Sequence, residues 1–435
     1  MKRGKMSSSS EVLDGGSEDN SQGRMKTILA GLVGNIMEWY DFAIYGYFAA
    51  TIGKQFFPSE DPAISLIASF GAFAAGFLAR PLGGIVFGRI GDIVGRKRVL
   101  MLSVMAMAIP TTLIAFLPGY ETIGILAPIF LVLLRIIQGL SVGGEYTSSI
   151  VFLVEQAPAK RRSFFAVWGM WGAVLGILAG SAIGDVVATV LTEEQIADWG
   201  WRVPFLLGSL VAISCILVRR TINKDASPSE VSSPVKHTFM VHYPTVIKVI
   251  LLNIGTAVSF YAAFVYVVTY VKQVDGLPEE IALNLNTGSM VLLLIFMPIA
   301  AWMADQIGRK PMMLAGSFLI AFGAIPFFHL IHTTEPMYIF FGEIGFAVGI
   351  AIFSGGLNAA NVEMMPTSVR CTGLAFSYNA SVGIFGGLTP LIVTWLLTTT
   401  GDPIAPAYWI AFAGALSLLA TLFMYRESRH NVLSS

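Results

Sequence analysis

Two segments in different halves of the chain carry the same pattern of residues. Residues 88–98 read GRIGDIVGRKR, and residues 301–311 read AWMADQIGRKP. Both contain D-x-x-G-R-K, with Asp92 in the first copy and Asp305 in the second. Each follows a long apolar stretch, so its basic residues stand where a membrane helix leaves the lipid. The repetition predicts a chain built from two related halves.

A second pair of motifs repeats at nearly the same spacing. VEQAPAKRR contains Glu155 and Arg162, and VEMMPTSVR contains Glu363 and Arg370. The offset is about 208 residues here and about 213 residues for the first pair, and each motif follows the equivalent apolar stretch of its half. Two pairs with similar offsets indicate parallel repeats related across the membrane normal.

The composition is that of a membrane protein. Of 435 residues, 55% are hydrophobic and only 12% are charged, whereas soluble domains are about 25% charged. A spanning helix needs ~20 apolar residues, and about twelve such stretches follow one another. We expect an all-α membrane protein with twelve transmembrane helices in two pseudo-symmetric six-helix bundles. A net charge of zero gives no indication of nucleic-acid binding.

The distribution of charge and of Ser and Pro predicts topology and boundaries. Lys and Arg lie mostly on the side of the N-terminal tail, which places both termini in the cytoplasm. Two polar segments on that side have no apolar core: the segment at the N-terminus is expected to be a tail, and the one between the halves is expected to be a linker. The predicted units are a disordered tail at 1–26, a first bundle at 27–220, a linker at 221–243, a second bundle at 244–426 and a short tail at 427–435.

The first repeated motif resembles the signature of the major facilitator superfamily, G-x-x-x-D-x-x-G-R-[RK]. Its residues here are Gly88, Asp92, Gly95, Arg96 and Lys97, and the second copy supplies Asp305, Gly308 and Arg309. The resemblance implies that these residues, with Glu155, Arg162, Glu363 and Arg370, close a cytoplasmic gate. Physically, the Asp can face a helix N-terminus across the seam between the halves. The alternative is a simple positive-inside anchor.

Further segments narrow the resemblance. NIMEWYDFAIYG (35–46), RPLGG (80–84), RIIQGLSVGGEY (135–146), WGWRVPF (199–205) and GGLTPLIVTWL (386–397) look like the metabolite–proton symporter family. This implies a proton-coupled importer in the bacterial cytoplasmic membrane, working by alternating access without a cofactor or metal. The similarity is greatest to proline/glycine-betaine carriers and extends to carriers of citrate, 2-oxoglutarate and shikimate. Expected partners are the substrate, protons and the lipid bilayer; a monomer suffices.

Polar side chains lie inside the predicted first and fourth spans, where a charge costs roughly 2.5–3.5 kcal/mol. In the first span they recur at spacings of three and four, on one face of a helix. Asp41 and Arg135 have similar depths and are expected to pair. The polar residues expected around the substrate are Arg135, Gln138, Glu38, Tyr45 and Asn35.

The resemblance to sugar–proton symporters of the superfamily implies that Asp41 and Arg135 couple proton transfer to transport. The alternative for Asp41 is a structural ion pair. For Glu38 three roles stay open: a partner of the substrate's ammonium, a second proton site, or a structural group. Glu145 is expected to pair with Arg80 or loop residues, and Glu343 to be a vestibule charge.

Aromatic residues in the seventh span are candidates for a cage around an ammonium group. They include Tyr261 and Phe264, although such residues also commonly form a packed core. With few central cations, the pattern favours a zwitterion such as proline or betaine over an organic acid such as citrate. An uncoupled facilitator and a non-transporting sensor are further alternatives.

Two other patterns are not expected to form a catalytic or ligand-binding site. GLSVG around Ser141 fits a hydrolase elbow, but it lies inside a predicted span without a nearby histidine, so an enzyme is not expected. Four glycines spaced by four residues in the fifth span, from Gly172 to Gly184, allow close helix contact. We expect that contact to allow sliding between the halves.

Overall fold

The computed structural model describes residues 15–220, 233–430 and 433, and all of the regular structure within them is helical. The long helices of the first half, α1 to α6, are Gly15–Tyr47, Pro62–Val94, Arg96–Phe116, Leu126–Gln156, Arg162–Val190 and Arg202–Arg220. Those of the second half, α7 to α12, are Tyr243–Gln273, Glu279–Ile307, Arg309–Ile331, Pro336–Met364, Thr367–Thr400 and Ala405–Met424.

Short helices connect several of the long ones. They are Ala49–Phe56, Tyr120–Ile123, Ala159–Arg161, Glu193–Gln195 with the π turn Ile196–Gly200, and Pro234–Met240. Within the described residues, the eleven helices from α2 to α12 are long and apolar enough to cross a membrane. The protein is therefore a multi-pass membrane protein of two helical halves.

The helix α1 differs from the predicted pattern at its start. It begins at Gly15, so residues 15–26 are helical and not disordered as predicted; residues 1–14 lie outside the described residues. The polar side chains of Asn35, Glu38 and Asp41 lower the hydropathy of α1, which explains why it is not among the eleven apolar helices. Part of the predicted linker, 221–232, also lies outside the described residues.

Glycines bring α1 and α5 into close contact. A Cβ atom at Gly172 would lie 2.7 Å from the carbonyl oxygen of Leu32, and one at Gly176 would lie 2.5 Å from that of Ile36. Both helices belong to the first half. The prediction that this run of glycines allows sliding between the halves is therefore wrong; small residues here let two neighbouring helices of one bundle pack tightly.

Two helices of the second half contain π turns near their middle. In α7 the turn is Tyr261–Tyr266, and in α11 it is Ser381–Gly386. A π turn adds one residue to a helical turn and redirects the side chains around it, and such turns are frequent at functional sites. Here Tyr261 and Val382, one from each turn, border the cavity between the halves.

Candidate functional site

The predicted pair of Asp41 and Arg135 is present and buried in the first half. Arg135 Nη1 donates to Asp41 Oδ2 at 2.6 Å, and both side chains are 1% exposed. The other carboxylate oxygen accepts from Gln138 Nε2 at 3.0 Å and from Thr111 Oγ1 at 2.8 Å. Asp41 thus joins α1, α3 and α4, and each of its oxygens is hydrogen-bonded, as a buried carboxylate requires.

Of the other predicted polar residues, Tyr45 contacts this network and Asn35 is bonded elsewhere in the first bundle. The guanidinium carbon of Arg135 lies 3.8 Å from the ring centroid of Tyr45, and Tyr45 donates its hydroxyl to the carbonyl of Ser69 at 3.0 Å. Asn35 Nδ2 donates to Ser149 Oγ at 2.8 Å. All of these side chains lie inside the first bundle, and none of them is on the wall of the central cavity.

A cavity lies between the two halves and is lined largely by apolar and aromatic side chains. Tyr261 is the one predicted substrate residue on its wall; Phe264 lies behind it and packs on Phe260 at 5.4 Å between ring centroids. None of the lining residues is charged. They are Trp39, Tyr146, Met170, Ala173, Val174, Asn253, Thr256, Ala257, Phe260, Tyr261, Ser354, Leu357, Asn358, Tyr378 and Val382.

Aromatic rings of opposite halves meet around this cavity. Tyr146 of α4 stacks on Tyr378 of α11 with ring centroids 4.5 Å apart, and Trp39 of α1 meets Phe260 of α7 at 6.5 Å. Sequence reasoning missed Trp39, Tyr146 and Tyr378 as lining residues. A signal existed for Trp39 and Tyr146, which lie in the quoted motifs of α1 and α4, and none existed for Tyr378.

Two further buried carboxylates have partners other than those predicted. Glu145 forms a salt bridge with Arg219 at the end of α6 and accepts from Ser103, so its expected pairing with Arg80 is wrong. Glu343 is buried, at 1% exposure, and accepts from Ser289 Oγ at 2.7 Å. It lies within the second half and is not a vestibule charge.

The two repeated Asp residues each hold the first turn of a helix in the opposite half. Asp92 accepts from the backbone N–H groups of Cys371 and Thr372 in α11, at 3.0 and 2.9 Å. Asp305 accepts from those of Ser163 and Phe164 in α5, at 3.0 and 2.9 Å. The predicted contact between each Asp and a helix N-terminus is confirmed, and its two copies are pseudo-symmetric.

The glycines of the motif have separate structural reasons. Gly95 has φ 107° and Gly308 has φ 122°, values that favour glycine because a Cβ atom would be strained. A Cβ atom at Gly88 would lie 2.7 Å from the Cα of Thr372, so this glycine lets α2 approach α11. Lys97 is half-buried at the same turn.

Ion pairs add to the contact between the halves at Asp92 and Asp305, which is called the seam below. Glu155 accepts from Arg96 of its own half at 3.1 Å and from Arg370 of the other half at 2.7 Å. Glu363 accepts from Arg309 of its own half at 3.2 Å and from Arg162 of the other half at 3.4 Å. The acidic and arginine side chains of the predicted gate therefore make bonds that join the two halves or hold the residues that do.

The segment after α12 is attached to the second motif. Glu427 accepts from the backbone N–H groups of Arg309 and Lys310 at 3.2 and 2.9 Å. The neighbouring Ser428 donates to Glu363 at 2.5 Å, and Arg429 donates to the carbonyl of Gln306 at 2.5 Å. The C-terminal segment thus contacts the start of α9 and an acid of the seam.

Comparison with known proteins agrees with this architecture. The chain matches the family described as Major Facilitator Superfamily over residues 31–387. A proline/betaine transporter of Salmonella typhimurium strain LT2 is 32% identical over 415 residues, covering 92% of this chain and 83% of that protein. A putative proline/betaine transporter of Staphylococcus aureus strain COL is 34% identical over 409 residues, covering 92% and 88%.

The fold is also found among solved structures. The proton:xylose symporter XylE bound to 6-bromo-6-deoxy-D-glucose superposes with a TM-score of 0.78 at 18% sequence identity, covering 95% of this chain and 98% of that one. With the repeated motifs, the paired halves and the family match, these findings lead to one assignment: the chain belongs to the major facilitator superfamily.

Proposed function

We propose that the protein is a proton-coupled importer of a small zwitterion such as proline or glycine betaine. The observation that carries the proposal is the cavity between the halves, which has aromatic walls and no charged lining residue. Aromatic faces attract an ammonium group, most strongly when it is shielded from water. An uncharged lining favours a substrate without net charge over a polycarboxylate.

The similar transporters support the same substrate class, because those in Salmonella typhimurium and Dickeya dadantii are named for proline and betaine. The proton:xylose symporter shares the fold. We propose a topology of twelve spans with α1 as the first, both termini in the cytoplasm and a location in the bacterial cytoplasmic membrane. The domain boundaries predicted from the sequence, 27–220 and 244–426 for the bundles, stay part of this proposal.

The coupling site in this proposal is the network of Asp41, Arg135, Gln138 and Thr111. Protonation of Asp41 removes the negative charge that holds Arg135, so the ion pair weakens and the helices that it joins can move. An uncoupled facilitator has no need for a buried ion pair at this cost. Alternating access then follows from breaking the cytoplasmic seam and reclosing it.

Uptake by purified protein in liposomes tests the proposal. Labelled proline, glycine betaine, citrate and 2-oxoglutarate are offered with and without an imposed pH gradient, acid outside. We expect the gradient to drive accumulation of proline and betaine above the external concentration, and not of the two organic acids. Accumulation of citrate alone would contradict the substrate class, and equilibration without response to the gradient would contradict coupling.

A further inference from the structure

Arg80 is a buried cation that forms no salt bridge with any residue that the structure describes, although the Glu38 carboxylate interacts with it electrostatically. It lies in α2 and is 3% exposed. Among the described residues its Nε and Nη2 find no hydrogen-bond partner, and no carboxylate there forms a salt bridge with it. Moving an ion from water into a protein interior costs roughly several kcal/mol, even after the protein relaxes around it. A buried arginine with free N–H donors is a suitable site for an anion that enters from outside.

Aromatic faces hold the Arg80 guanidinium in place. Its carbon lies 3.9 Å from the ring centroid of Phe77, 4.6 Å from that of Phe42 and 5.5 Å from that of Trp39. These contacts stabilise the cation without using its N–H donors. Arg135 is different, because its Nη1 is already bound to Asp41 and Gln138.

The position of Arg80 follows from the face of α2 on which it lies. Arg80, Gly84 and Gly88 are spaced by four residues and share one face of the helix. Cβ atoms at the two glycines would lie 3.1 Å from the carbonyl oxygen of Ala375 and 2.7 Å from the Cα of Thr372, both in α11. Arg80 therefore lies on the face of α2 that meets the second half, one helical turn before the contact of Gly84 with α11.

Other polar atoms without partners surround the same place. Three of them are Trp39 Nε1, Tyr261 Oη and Asn358 Nδ2 of the cavity lining, which find no hydrogen-bond partner in the part of the chain that the structure describes. Behind them Glu38 Oε2 is also without a partner, and its carboxylate interacts electrostatically with Arg80. Buried polar groups are rarely left unpaired. The indole, amide and guanidinium groups are donors, as a carboxylate requires, and Glu38 suits a cationic group.

We infer that Arg80 binds the carboxylate of the transported zwitterion, with Trp39 and Asn358 as additional donors and Glu38 near the cationic end. This inference rests on the proposed function and adds a substrate-binding residue to it. Trp39 lines the cavity, and its ring centroid lies 5.5 Å from the Arg80 guanidinium carbon, so in this inference the indole moves aside when the substrate enters. A single cation facing a single carboxylate selects a monocarboxylate zwitterion.

The test compares two ligands that differ at the carboxylate. Labelled glycine betaine and choline, which has a hydroxymethyl group in place of the carboxylate, are bound to purified protein in nanodiscs. The variants are Arg80→Gln and Arg80→Lys, and the control is Arg89→Gln, an exposed arginine of the same helix. Thermal unfolding of every variant reports whether it is folded.

We expect the wild type and the control to bind betaine at least about tenfold more tightly than choline, since a hydrogen bond between charged groups contributes that much or more. Arg80→Gln should bind betaine about tenfold more weakly with choline unchanged, and Arg80→Lys should keep part of the preference. An unchanged betaine-to-choline ratio in Arg80→Gln, or equal loss of both ligands, overturns the inference. If Arg80→Gln does not fold, Arg80→Lys decides by the same ratio. A wild type that binds neither betaine nor proline overturns the proposed function itself.

Discussion

Asp41 and Arg135 form an ion pair buried inside the first half. The carboxylate accepts from Arg135, Gln138 and Thr111, so its charge is compensated on every side. The energetic consequence is asymmetric. Removing one charge leaves the other buried and uncompensated, at a cost of roughly 3–5 kcal/mol, whereas removing both can be nearly neutral.

The first prediction uses this asymmetry. Asp41→Asn should abolish accumulation of substrate against its gradient, because the amide cannot exchange a proton, while exchange of labelled for unlabelled betaine continues. Its melting temperature should fall, because Arg135 loses its anion. Adding Arg135→Gln should restore the melting temperature without restoring accumulation. Uptake and thermal unfolding in liposomes or detergent measure both effects, and full accumulation by Asp41→Asn would contradict the proton-coupling role.

The second prediction concerns the aromatic wall. Tyr378→Leu removes one ring of the stacked pair with Tyr146. A cation–π contact contributes about 0.5–2 kcal/mol, so betaine affinity should fall by a factor of roughly 2 to 30. Tyr338→Leu, an exposed tyrosine of α10, is the matched control and should bind betaine like the wild type. Equal affinities in all three proteins would remove the aromatic wall from the substrate site.

Some of these residues could be found from the sequence and others could not. The pairing of Asp41 with Arg135 was predictable, because two opposite charges at the same depth in a membrane are costly alone and have few other charged groups to pair with. Asn35 and Tyr45 share a helix face with Asp41, but periodicity does not tell whether that face meets the cavity or a neighbouring helix. Tyr378 and Asn358 join the site only through contact between the halves, which one helix's pattern does not encode.

Among the helices, the N-termini of α5 and α11 are the elements on which closure depends. Each is capped by an Asp of the other half, and each neighbouring Glu binds arginines from both halves. Asp92 and Asp305 satisfy backbone N–H groups at a helix start, where a negative charge is stabilising. In the proposed cycle, opening toward the cytoplasm breaks these bonds in both copies.

The third prediction tests the seam with a thiol that the chain already contains. Cys371 is buried, and its own N–H is bound to Asp92. Weakening the seam by Glu155→Gln should speed the reaction of Cys371 with a membrane-permeable maleimide several-fold. Cys215, buried in the first half away from the seam, is the internal control and should react as in the wild type. An unchanged rate at Cys371, read by mass spectrometry, would argue against a gate at this position.

The fourth prediction concerns the C-terminal segment and pH. Burial raises the pKa of Glu427, but the backbone N–H groups of Lys310, Arg429 and Arg309 lower it more, so the net pKa is below the ordinary 4.5. Because the folded-state pKa is depressed, the stabilisation is complete above the ordinary value and is lost as the pH falls through the folded-state pKa. Glu427→Gln should therefore melt below the wild type at pH 7.

Acidification should remove this difference. The gap in melting temperature between Glu427→Gln and the wild type should stay constant down to about the ordinary pKa of a glutamate and shrink below it. A second comparison uses Glu335→Gln, at the N-cap of α10, where no side-chain capping bond is made; that variant should melt like the wild type. A gap that widens in acid would contradict the assigned role of Glu427.

For the whole molecule, the division into two related halves was the most secure prediction from sequence. Two motif pairs at similar offsets predicted it, and the crossed contacts of Asp92 and Asp305 confirm their equivalence. The prediction that the glycines of α5 allow sliding between the halves was wrong. Close packing within one bundle and contact between two bundles both require small residues, so the sequence pattern is the same. The start of α1 also differed, since residues 15–26 are polar yet continue the helix.

In this structure the seam is closed, because Asp92 and Asp305 are both bonded to the opposite half. The cavity between the halves is lined by other residues. In the proposed cycle, a zwitterion that enters from outside brings no net charge, and the proton taken up by Asp41 is the only charge that crosses with it. Transport of betaine should therefore carry positive charge inward. An uncoupled carrier would move betaine without current.

That current can be recorded on a solid-supported membrane carrying proteoliposomes, with the pH equal on both sides. A sudden addition of glycine betaine should give an inward positive current that rises with betaine concentration, and Asp41→Asn should give no sustained current while still binding betaine. Betaine uptake by the wild type without any current, or an undiminished current in Asp41→Asn, would contradict proton coupling through Asp41.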